Sequence, residues 1–508
     1  MIAKNHTCTL LGIDAVPVEV EVDLSPGLPA FATVGLPDNI VRESKDRVKA
    51  ALQNSGYSFP IDRITVNLAP AHLKKEGAGF DLPIAVGILA AMGVVASDRL
   101  PHTVLVGELS LDGRVKPVDG ALPMAIQTKR SGFDALVLPR DNAREAAVVE
   151  GVDILGVEHL SRVVEFLNGR RELEPVRLSR EDIFLRRPVD GVDFNEVKGQ
   201  EHAKRGLEVA AAGGHNVLMV GPPGSGKTML AQRLSTILPP LSFDEALEIS
   251  KIFSVVGLLR GHPLVPVRSF RAPHHTISDA GLVGGGHIPR PGEVSLAHNG
   301  VLFLDEFPEF RRNILDLLRQ PLEDGQVTIA RATVSLTYPA RFMLVAAMNP
   351  CPCGYSGDPR HPCTCTPQQI QRYRGRISGP IMDRIDCHIE VPAVSYEDLH
   401  DSFAGEPSSV VRERVVKARE IQLERFRGGS IYANVHMKPR HLKKHCALDD
   451  AGRKLLEDAV HRLGLSARAY HRILKVARTI ADLEQTEALG PSHLLEAIQY
   501  RSLDRRPG

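Results

Sequence analysis

A glycine-rich stretch near the middle of the chain has the residues Gly221-Pro222-Pro223-Gly224-Ser225-Gly226-Lys227-Thr228. It follows the apolar run Asn216–Val220 and precedes a segment of helical pattern that begins at Met229. A strand, a glycine turn and a helix in this order form a P-loop, whose backbone N–H groups and helix N-terminus bind phosphates. The Lys227 ammonium group is expected to reach the β- and γ-phosphates, and the Thr228 hydroxyl is expected to bind Mg²⁺. We therefore predict that these eight residues bind ATP with Mg²⁺; a turn with only a structural role is the alternative.

A pair of carboxylates, Asp305 and Glu306, stands at the end of a second apolar run, Gly300–Leu304. Such a run predicts a buried strand, and a P-loop domain presents the carboxyl ends of its parallel strands to the nucleotide. We expect Asp305 to hold Mg²⁺ through water or the Thr228 oxygen, and Glu306 to polarise the attacking water as a general base. An acidic pair after a strand is weak evidence alone. Downstream of a P-loop it matches a Walker B motif and predicts ATP hydrolysis.

The composition of the chain is that of an ordinary globular protein, with 508 residues of which 43% are hydrophobic and 24% charged. This length predicts roughly two to four domains. No apolar segment of signal-peptide type follows Met1, and the longest apolar window, Leu82–Val95, is too short to span a bilayer, so we expect a cytoplasmic protein with no membrane partner. The net charge is only +1, but residues 411–478 contain 17 Lys and Arg against 7 Asp and Glu. That segment presents either a basic surface to a polyanion or simply solvated helix faces.

The N-terminal region contains three stretches with a recognisable pattern, Gly77–Pro83, Gly107–Gly113 and Ala135–Asn142. These stretches resemble the C-terminal domain of Lon-type proteases, which also occurs without proteolysis in other ATPases. The peptidase chemistry of that family needs a serine in the first stretch and a lysine after the second, but Gly79–Asp81 and Gly120–Ala125 supply neither. A Ser–Lys dyad cannot form from these residues, so the resemblance implies a scaffold or substrate-handling domain.

Residues Phe194–Arg205 resemble the opening segment of AAA+ ATPases, which lines the adenine pocket in that family. Under this resemblance Asn349, at the end of the apolar strand Phe342–Asn349, fits the sensor-1 role of hydrogen-bonding the γ-phosphate or the attacking water. A strand-end cap is the alternative for Asn349. Arg384 lies after a predicted helix end and before a strand. AAA+ rings place at that position an arginine finger, which neutralises charge on the γ-phosphate of the neighbouring subunit.

Further stretches resemble the YifB/ComM family of magnesium-chelatase-like AAA+ ATPases, namely residues 269–278, 284–300 and 348–354. The resemblance covers essentially the whole chain. It implies a hexameric DNA helicase that drives branch migration in homologous recombination during natural transformation. The same clade includes the replicative MCM helicases, whose hairpins project into a central pore. By that similarity Arg331, near the turn of a predicted hairpin over residues 325–338, is the expected DNA contact.

Two other groups of residues have a less definite role. His274 and His275 form an ordinary histidine pair, which we expect to be structural rather than catalytic. Four of the seven cysteines lie close together in the sequence, and four thiolates could form a closed tetrahedral zinc site beside the sensor-1 position. His361 could replace one ligand, and reduced free thiols are the alternative. The four cysteines are Cys351, Cys353, Cys363 and Cys365.

Beyond residue 395 the sequence predicts a helical region. Amphipathic helical patterns cover residues 410–426, 451–463 and 467–483. Ser466 is a suitable N-cap for the third of these helices. A helical lid follows the core of AAA+ proteins, and by that resemblance Arg468 matches the sensor-2 arginine, with Arg472 as the second choice. A helical interaction domain is the alternative.

These observations predict a doubly wound α/β AAA+ P-loop core with a C-terminal helical lid, preceded by a Lon-C-like α+β domain of the ribosomal S5 domain 2 type. The expected boundaries are residues 1–170 for the N-terminal domain, 171–193 for a linker, 194–395 for the ATPase core and 396–508 for the lid. The expected function is ATP hydrolysis coupled to translocation on single-stranded, forked or three-stranded DNA by a hexamer. A protein remodeller of the magnesium-chelatase or Lon-partner type is the alternative.

Overall fold

The computed structural model describes residues 1–95, 98–179, 191–259, 261–286, 289–331, 335–394, 405–429 and 431–501, and residue 503. The chain forms two compact units. The first unit comprises Met1–Arg186 and Phe243–Pro266, and the second unit comprises Arg187–Ser242 and Val267–Gly508. Among the described residues, no helix is both long and apolar enough to cross a bilayer.

The strands of the first unit are β1 (Ile2–Leu11), β2 (Asp14–Ser25), β3 (Ala30–Val34), β4 (Arg63–Ala69), β5 (Thr103–Leu105), β6 (Glu108–Leu109), β7 (Val115–Lys116), β8 (Ala135–Pro139) and β9 (Asp153–Val157). Its helices are α1 (Asn39–Asn54), α2 (Asp81–Ala91), α3 (Ala121–Arg130), α4 (Arg140–Ala146) and α5 (Leu160–Leu167). It also contains α8 (Phe243–Val255), which is numbered by its position in the chain.

Seven strands of the first unit form one sheet in the order β3-β4-β2-β1-β5-β8-β9. β2 pairs antiparallel with β1 and β4, whereas β5, β8 and β9 continue the sheet in parallel from β1. The alternating pattern of β2 buries Val18, Val20 and Val22 on one face. The apolar helix α2 packs on β1 and β2, and nearly all of its residues are buried. The first unit therefore has a mixed α/β fold with its own hydrophobic core.

Asp81, in the stretch Gly77–Pro83 that we compared with Lon-type proteases, forms an ion pair with Arg47. Asp81 begins α2 and accepts two bonds from Arg47 of α1, from Nε to Oδ2 at 2.7 Å and from Nη2 to Oδ1 at 3.0 Å. The N–H of Leu109 in β6 also donates to Oδ2, at 3.2 Å. Burial raises the pKa of Asp81 to about 6, against the opposite effect of Arg47. Asp81 thus joins α1, α2 and β6, which is a structural role.

One segment of the chain belongs to a different unit from the one that the sequence predicts. Phe243–Pro266 lies inside the expected ATPase core, residues 194–395, but it packs in the first unit. Ser254 in α8 accepts two bonds at the start of α3, from the N–H of Gly120 to its carbonyl oxygen at 2.9 Å and from the N–H of Leu122 to its hydroxyl at 3.3 Å. α3 has no side-chain cap of its own, and the first N–H groups of a helix need acceptors. α8 supplies those acceptors, which is a physical reason for its placement.

The burial of Glu145 in α4 should make the stability of the first unit depend on pH. Burial raises the pKa of this carboxyl to about 7, although the Asn142 side chain donates to Oε1 at 2.6 Å. Because the folded state binds this proton more tightly than the unfolded chain does, stability should fall as pH rises from the ordinary pKa of 4.5 through 7. Glu145→Gln should therefore stabilise the first unit at pH 8 by about 3 kcal/mol and change it little at pH 4.5.

Urea denaturation of the full chain at both pH values measures this difference. Glu150→Gln is the matched control, because Glu150 is exposed in the same unit. Equal effects of the two substitutions at pH 8 would contradict the role given to Glu145.

The strands of the second unit are β10 (Val217–Val220), β11 (Phe270–Arg271), β12 (Gly284–Gly285), β13 (Arg290–Pro291), β14 (Val301–Leu304), β15 (Gln326–Ala330), β16 (Ser335–Pro339), β17 (Met343–Met348) and β18 (Cys387–Glu390). The helices that precede β18 are α6 (Glu201–Gly213), α7 (Lys227–Ile237), α9 (Asp279–Val283), α10 (Glu293–Leu296), α11 (Arg312–Leu317), α12 (Arg319–Asp324), α13 (Pro367–Arg374) and α14 (Gly379–Met382). The C-terminal helices are α15 (Ser408–Arg425), α16 (Pro439–His445), α17 (Asp450–Leu463), α18 (Ala467–Leu483) and α19 (Pro491–Gln499).

Five strands of the second unit form a parallel sheet in the order β11-β14-β17-β10-β18. Because all five run in the same direction, their carboxyl ends lie at one edge of the sheet. The residues that follow β10, β14 and β17 therefore meet at this edge, although they are far apart in the sequence. The parallel sheet with its helices agrees with the predicted α/β core.

The C-terminal helices share one hydrophobic core with this sheet. α15 packs on α6 and α7, and α18 packs on α6 and α19. The Ser466 hydroxyl caps α18 by accepting from the N–H of Ala469 at 3.2 Å. The helices predicted for this region are confirmed, and their action as a lid stays a prediction.

Candidate functional site

The P-loop joins β10 to α7 and faces open space. Gly224 and Gly226 have φ values of +75° and +88°, in the left-handed region that favours glycine, and nothing lies within 4 Å of a Cβ placed on either residue. Gln200 fixes the loop to a neighbouring segment, because its Nε2 donates to the carbonyl oxygen of Ser225 at 2.7 Å and to that of Pro392 at 3.0 Å. The loop thus presents the N-terminus of α7 to an open cradle, as phosphate binding requires.

Lys227 begins α7 and is nearly buried. Its Nζ donates to the carbonyl oxygens of Gly221 and Pro222, both at 2.8 Å, and to Oδ1 of Asn349 at 3.3 Å. Burial lowers the pKa of the ammonium group from its ordinary value. The predicted phosphate-binding lysine and the predicted sensor-1 amide therefore lie together at the carboxyl edge of the sheet.

Thr228 and Asp305 are also in contact. The Thr228 hydroxyl donates to Oδ2 of Asp305 at 2.7 Å, and the other carboxylate oxygen accepts from the N–H of Glu306 at 2.9 Å. A hydroxyl and a carboxylate are oxygen ligands of the kind that Mg²⁺ prefers. These two residues therefore fit the divalent cation that accompanies ATP.

Glu306 has a neighbour that the sequence did not predict. Glu306 has a φ of +50°, its side chain is 60% exposed, and its Oε2 lies 3.3 Å from Nδ1 of His275. The contact arises because β11 pairs with β14, so that the residues after the two strands meet at the same edge. The one feature of the sequence that could have predicted this contact is that His274 and His275 follow β11, a strand of the same sheet as β14. The sequence alone predicts that the histidine pair is structural. In the structure, His275 contacts Glu306, the predicted general base.

Arg384, the predicted arginine finger, is nearly buried within its own chain. Its guanidinium group donates to the carbonyl oxygen of Pro380 and pairs with Glu323 of α12. Burial lowers the pKa of the guanidinium group from its ordinary value. To contact a nucleotide in a neighbouring subunit, the Arg384 side chain would have to break its ion pair with Glu323.

The two arginines considered for sensor 2 differ in their surroundings. Arg468 is exposed and lies 3.1 Å from Oδ2 of Asp383, so its partner is a surface carboxylate next to Arg384. Arg472 is paired with the buried Asp386. A buried ion pair is costly to open, which favours Arg468 over Arg472 as the arginine that can move. Both arginines are bonded to acidic residues outside the P-loop group.

The predicted hairpin is confirmed, with β15 and β16 paired antiparallel from Gln326 opposite Pro339 to Ala330 opposite Ser335. Arg331 follows β15 directly and is exposed. The turn itself, residues 332–334, lies outside the described residues. Arg331 is thus a cation at the exposed end of a two-stranded hairpin.

The four cysteines of the cluster converge, with their sulfur atoms all within 4.8 Å of one another. His361 is not part of this group; its Nδ1 lies 3.8 Å from Asp358, and its ring packs against Tyr355 with the centroids 4.9 Å apart. The four cysteines thus form a candidate metal centre without the histidine that was considered as a substitute.

The basic segment over residues 411–478 is not one continuous surface. Several of its cations are bonded to carboxylates or backbone carbonyl groups of the second unit. The count of 17 basic residues therefore overstates the charge that a polyanion could meet. The internally bonded residues are Arg414, Arg419, Arg425, Arg472, Lys475 and Arg478.

Comparison with protein families gives three matches along the chain. The family described as subunit ChlI of Mg-chelatase matches residues 20–142. The family described as magnesium chelatase, subunit ChlI, matches residues 193–399, and the one described as magnesium chelatase, subunit ChlI C-terminal, matches residues 405–501. The P-loop, both carboxylates, the cysteine cluster and Arg384 all lie in the second match.

Individual relatives are similar over nearly their whole length. A protein named YifB from Salmonella typhimurium strain LT2 is 47% identical over 502 residues, which cover 98% of this chain and 97% of the relative. A YifB from Escherichia coli strain K12 is 46% identical over 508 residues, covering 98% and 97%. A protein named competence protein ComM from Haemophilus influenzae strain Rd is 47% identical over 498 residues, covering 97% and 96%. Sequence identity at this level over nearly the full length of both proteins shows that they share a family. The chain belongs to the YifB/ComM family of magnesium-chelatase-like AAA+ ATPases.

Proposed function

We propose that the chain is an ATP-driven DNA motor, a hexameric helicase that promotes branch migration in homologous recombination during natural transformation. The observation that carries the ATPase part is the convergence of five predicted residues at one edge of a parallel sheet. These are Lys227, Thr228, Asp305, Glu306 and Asn349. Membership of a family of AAA+ ATPases supports the same assignment.

Each of these residues has a role in ATP hydrolysis that its chemistry supports. Bound ATP with Mg²⁺ supplies the phosphoanhydride bond whose cleavage drives the motor. Lys227 would exchange the carbonyl oxygens of its own loop for phosphate oxygens, and Thr228 and Asp305 would hold the cation. Glu306 accepts a proton from the attacking water, and Asn349 orients that water.

A ring assembly would complete the site. An arginine beside the γ-phosphate stabilises the charge of the transition state, and AAA+ rings supply it from the next subunit. Arg384 is the candidate finger, and assembly would have to replace its pairing with Glu323. Arg468, the candidate sensor-2 residue, is exposed beside it. The coupling of ATP hydrolysis to a hexamer is part of the proposal.

The DNA part of the proposal rests on Arg331 and on the relatives. An arginine at the exposed end of a hairpin can bind a phosphate group of a DNA strand that passes through a ring. The relative from Haemophilus influenzae is named a competence protein, which supports a role in natural transformation.

A protein remodeller of the magnesium-chelatase or Lon-partner type is the second candidate. The observation in its favour is that the chain enters the first unit at Phe243, shortly after the end of α7, the helix that begins at Lys227. In the chain, residues 238–242 alone connect α7 to α8 of the first unit. The Lon-C-like nature of that unit stays a proposal.

ATP-dependent branch migration of labelled three-stranded DNA tests the motor, with DNA-stimulated ATP hydrolysis measured alongside. We expect the wild-type chain to be active in both assays. Arg331→Ala should weaken DNA binding about tenfold. The slope of log affinity against log salt concentration should fall by about one phosphate contact. DNA should no longer stimulate ATP hydrolysis by this variant.

Arg162→Ala is the matched control, because Arg162 is an exposed arginine that pairs locally with Glu165 and lies outside the basic segment 411–478. If the two substitutions weakened DNA binding equally, Arg331 would not be the DNA contact. A wild-type chain that hydrolyses ATP without any response to DNA would favour the remodeller instead.

A further inference from the structure

The cysteine cluster has the dimensions of a site for one tetrahedral metal ion. The sulfur of Cys351 lies 3.3 Å from that of Cys353 and 3.7 Å from that of Cys363, and the sulfurs of Cys353 and Cys363 are 3.6 Å apart. Four sulfurs at the Zn–S distance of about 2.3 Å from a central ion would be about 3.8 Å apart. These three separations are close to the edges of a ZnS₄ tetrahedron, and the sulfur of Cys365 lies within 4.8 Å of the other three.

Backbone N–H groups point at two of the sulfurs. The N–H of Cys353 donates to Sγ of Cys365 at 3.3 Å, and the N–H of Ser356 donates to Sγ of Cys351 at 3.3 Å. Such donors stabilise thiolates, the form in which cysteine binds a metal ion. Hydrophobic packing does not explain the cluster, because Cys363 is exposed and only Cys351 of the four is buried.

A disulfide or an iron–sulfur cluster fits these cysteines less well than a single ion does. The sulfur separations are far from the bond length of a disulfide, about 2.05 Å, and all four cysteines are free. An iron–sulfur cluster distributes its cysteine ligands over several iron atoms. These four sulfurs all lie within 4.8 Å of one another, which suits a single ion better. A single zinc ion, the usual ion of closed tetrahedral Cys₄ sites, matches the donor set.

The loop that carries the cysteines contacts the P-loop. It begins two residues after Asn349 and turns at Gly354, whose φ is +90°. A Cβ on Gly354 would lie 2.5 Å from Cδ of Pro223 in the P-loop. The carbonyl oxygen of Pro350, between Asn349 and the first cysteine, accepts from Nε of Arg374 at 3.2 Å. The cysteine loop is therefore anchored on one side to the sensor-1 residue and rests on the other against the P-loop.

We propose that Cys351, Cys353, Cys363 and Cys365 bind one Zn²⁺ ion, and that this ion fixes the loop that supports the P-loop at Pro223. The metal thereby sets the affinity for nucleotide without touching the nucleotide. The coupling rests on the proposed ATPase function, whereas the metal site itself does not.

Metal content tests the site. The full chain, produced in zinc-supplemented medium without a polyhistidine tag or chelator, should contain about one zinc per chain by elemental mass spectrometry. Cys363→Ser combined with Cys365→Ser should lose that zinc, whereas Cys8→Ala, which removes a thiol from the first unit, should keep it. A wild-type chain without metal, one that holds iron instead, or a double variant that keeps its zinc would overturn the proposal.

A pair of glycine variants tests the coupling separately. Gly354→Ala and Gly357→Ala introduce the same strain in the same loop, because both glycines have positive φ, at +90° and +85°. Only the first places a Cβ against Pro223, since nothing lies within 4 Å of a Cβ on Gly357. Gly354→Ala should keep its zinc but bind a fluorescent ATP analogue about tenfold more weakly than Gly357→Ala does.

Equal nucleotide affinities of the two glycine variants would overturn the coupling. A wild-type chain that contains zinc but binds no nucleotide would contradict the proposed ATPase function and the coupling, while the zinc content would still support the metal site.

Discussion

Replacement of Lys227 by alanine should abolish ATP hydrolysis and weaken nucleotide binding by about 100-fold or more. The ammonium group donates to neutral oxygens of the loop and of Asn349, so it is available to a phosphate at little cost. Alanine also favours the helix that begins at this residue. The fold should therefore survive, with a change in Tm of no more than about 4 °C.

Titration with a fluorescent ATP analogue and a phosphate-release assay measure the two effects. Lys417→Ala is the control, because Lys417 lies on the exposed face of α15 and pairs with Glu413. If Lys227→Ala bound and hydrolysed ATP like Lys417→Ala, the P-loop would not be the nucleotide site.

Glu306→Gln should have the opposite combination of properties, with ATP bound at wild-type affinity and hydrolysis slowed about 10²- to 10⁴-fold. Glutamine keeps the shape of the side chain but cannot accept the proton of the attacking water. Glu306 lies beside the Thr228–Asp305 pair and is largely exposed, so the substitution should not disturb packing. Single-turnover hydrolysis, measured after ATP binding is saturated, separates the two steps.

Two nearby substitutions sharpen this prediction. Glu309→Gln is the matched control, because Glu309 is a half-exposed glutamate on the same turn that pairs with Arg376. His275→Ala should slow hydrolysis by less than Glu306→Gln does, roughly threefold to tenfold, because the histidine orients the carboxylate without accepting the proton. Normal single-turnover hydrolysis by Glu306→Gln would assign the general base to another residue.

Much of the fold could be predicted from the sequence because its signals are local. The glycine turn between β10 and α7, the apolar run of β14 and the helical patterns of α15, α17 and α18 each depend on residues within one element. The chemistry of the P-loop and of the carboxylate pair also follows from local spacing. These elements lie where the sequence predicts them.

The assignment of segments to units could not be predicted in the same way. α8 follows the P-loop helix in the chain, and its position in the sequence suggests the ATPase core. It belongs to the first unit because Ser254 caps α3, a contact with residues more than a hundred positions away. Such a contact leaves no periodic signal.

The sequence by itself determined the P-loop, the acidic pair, the hairpin and the helices of this protein, because each is encoded by spacing along a single element. Only the tertiary structure decided that His275 contacts Glu306, that Arg384 is paired with Glu323 and that the sulfurs of four cysteines lie within 4.8 Å of one another. Those contacts depend on the order of strands in the sheet and on where loops turn back. The free energy that selects them is the burial and pairing of groups from distant parts of the chain, which no local pattern records.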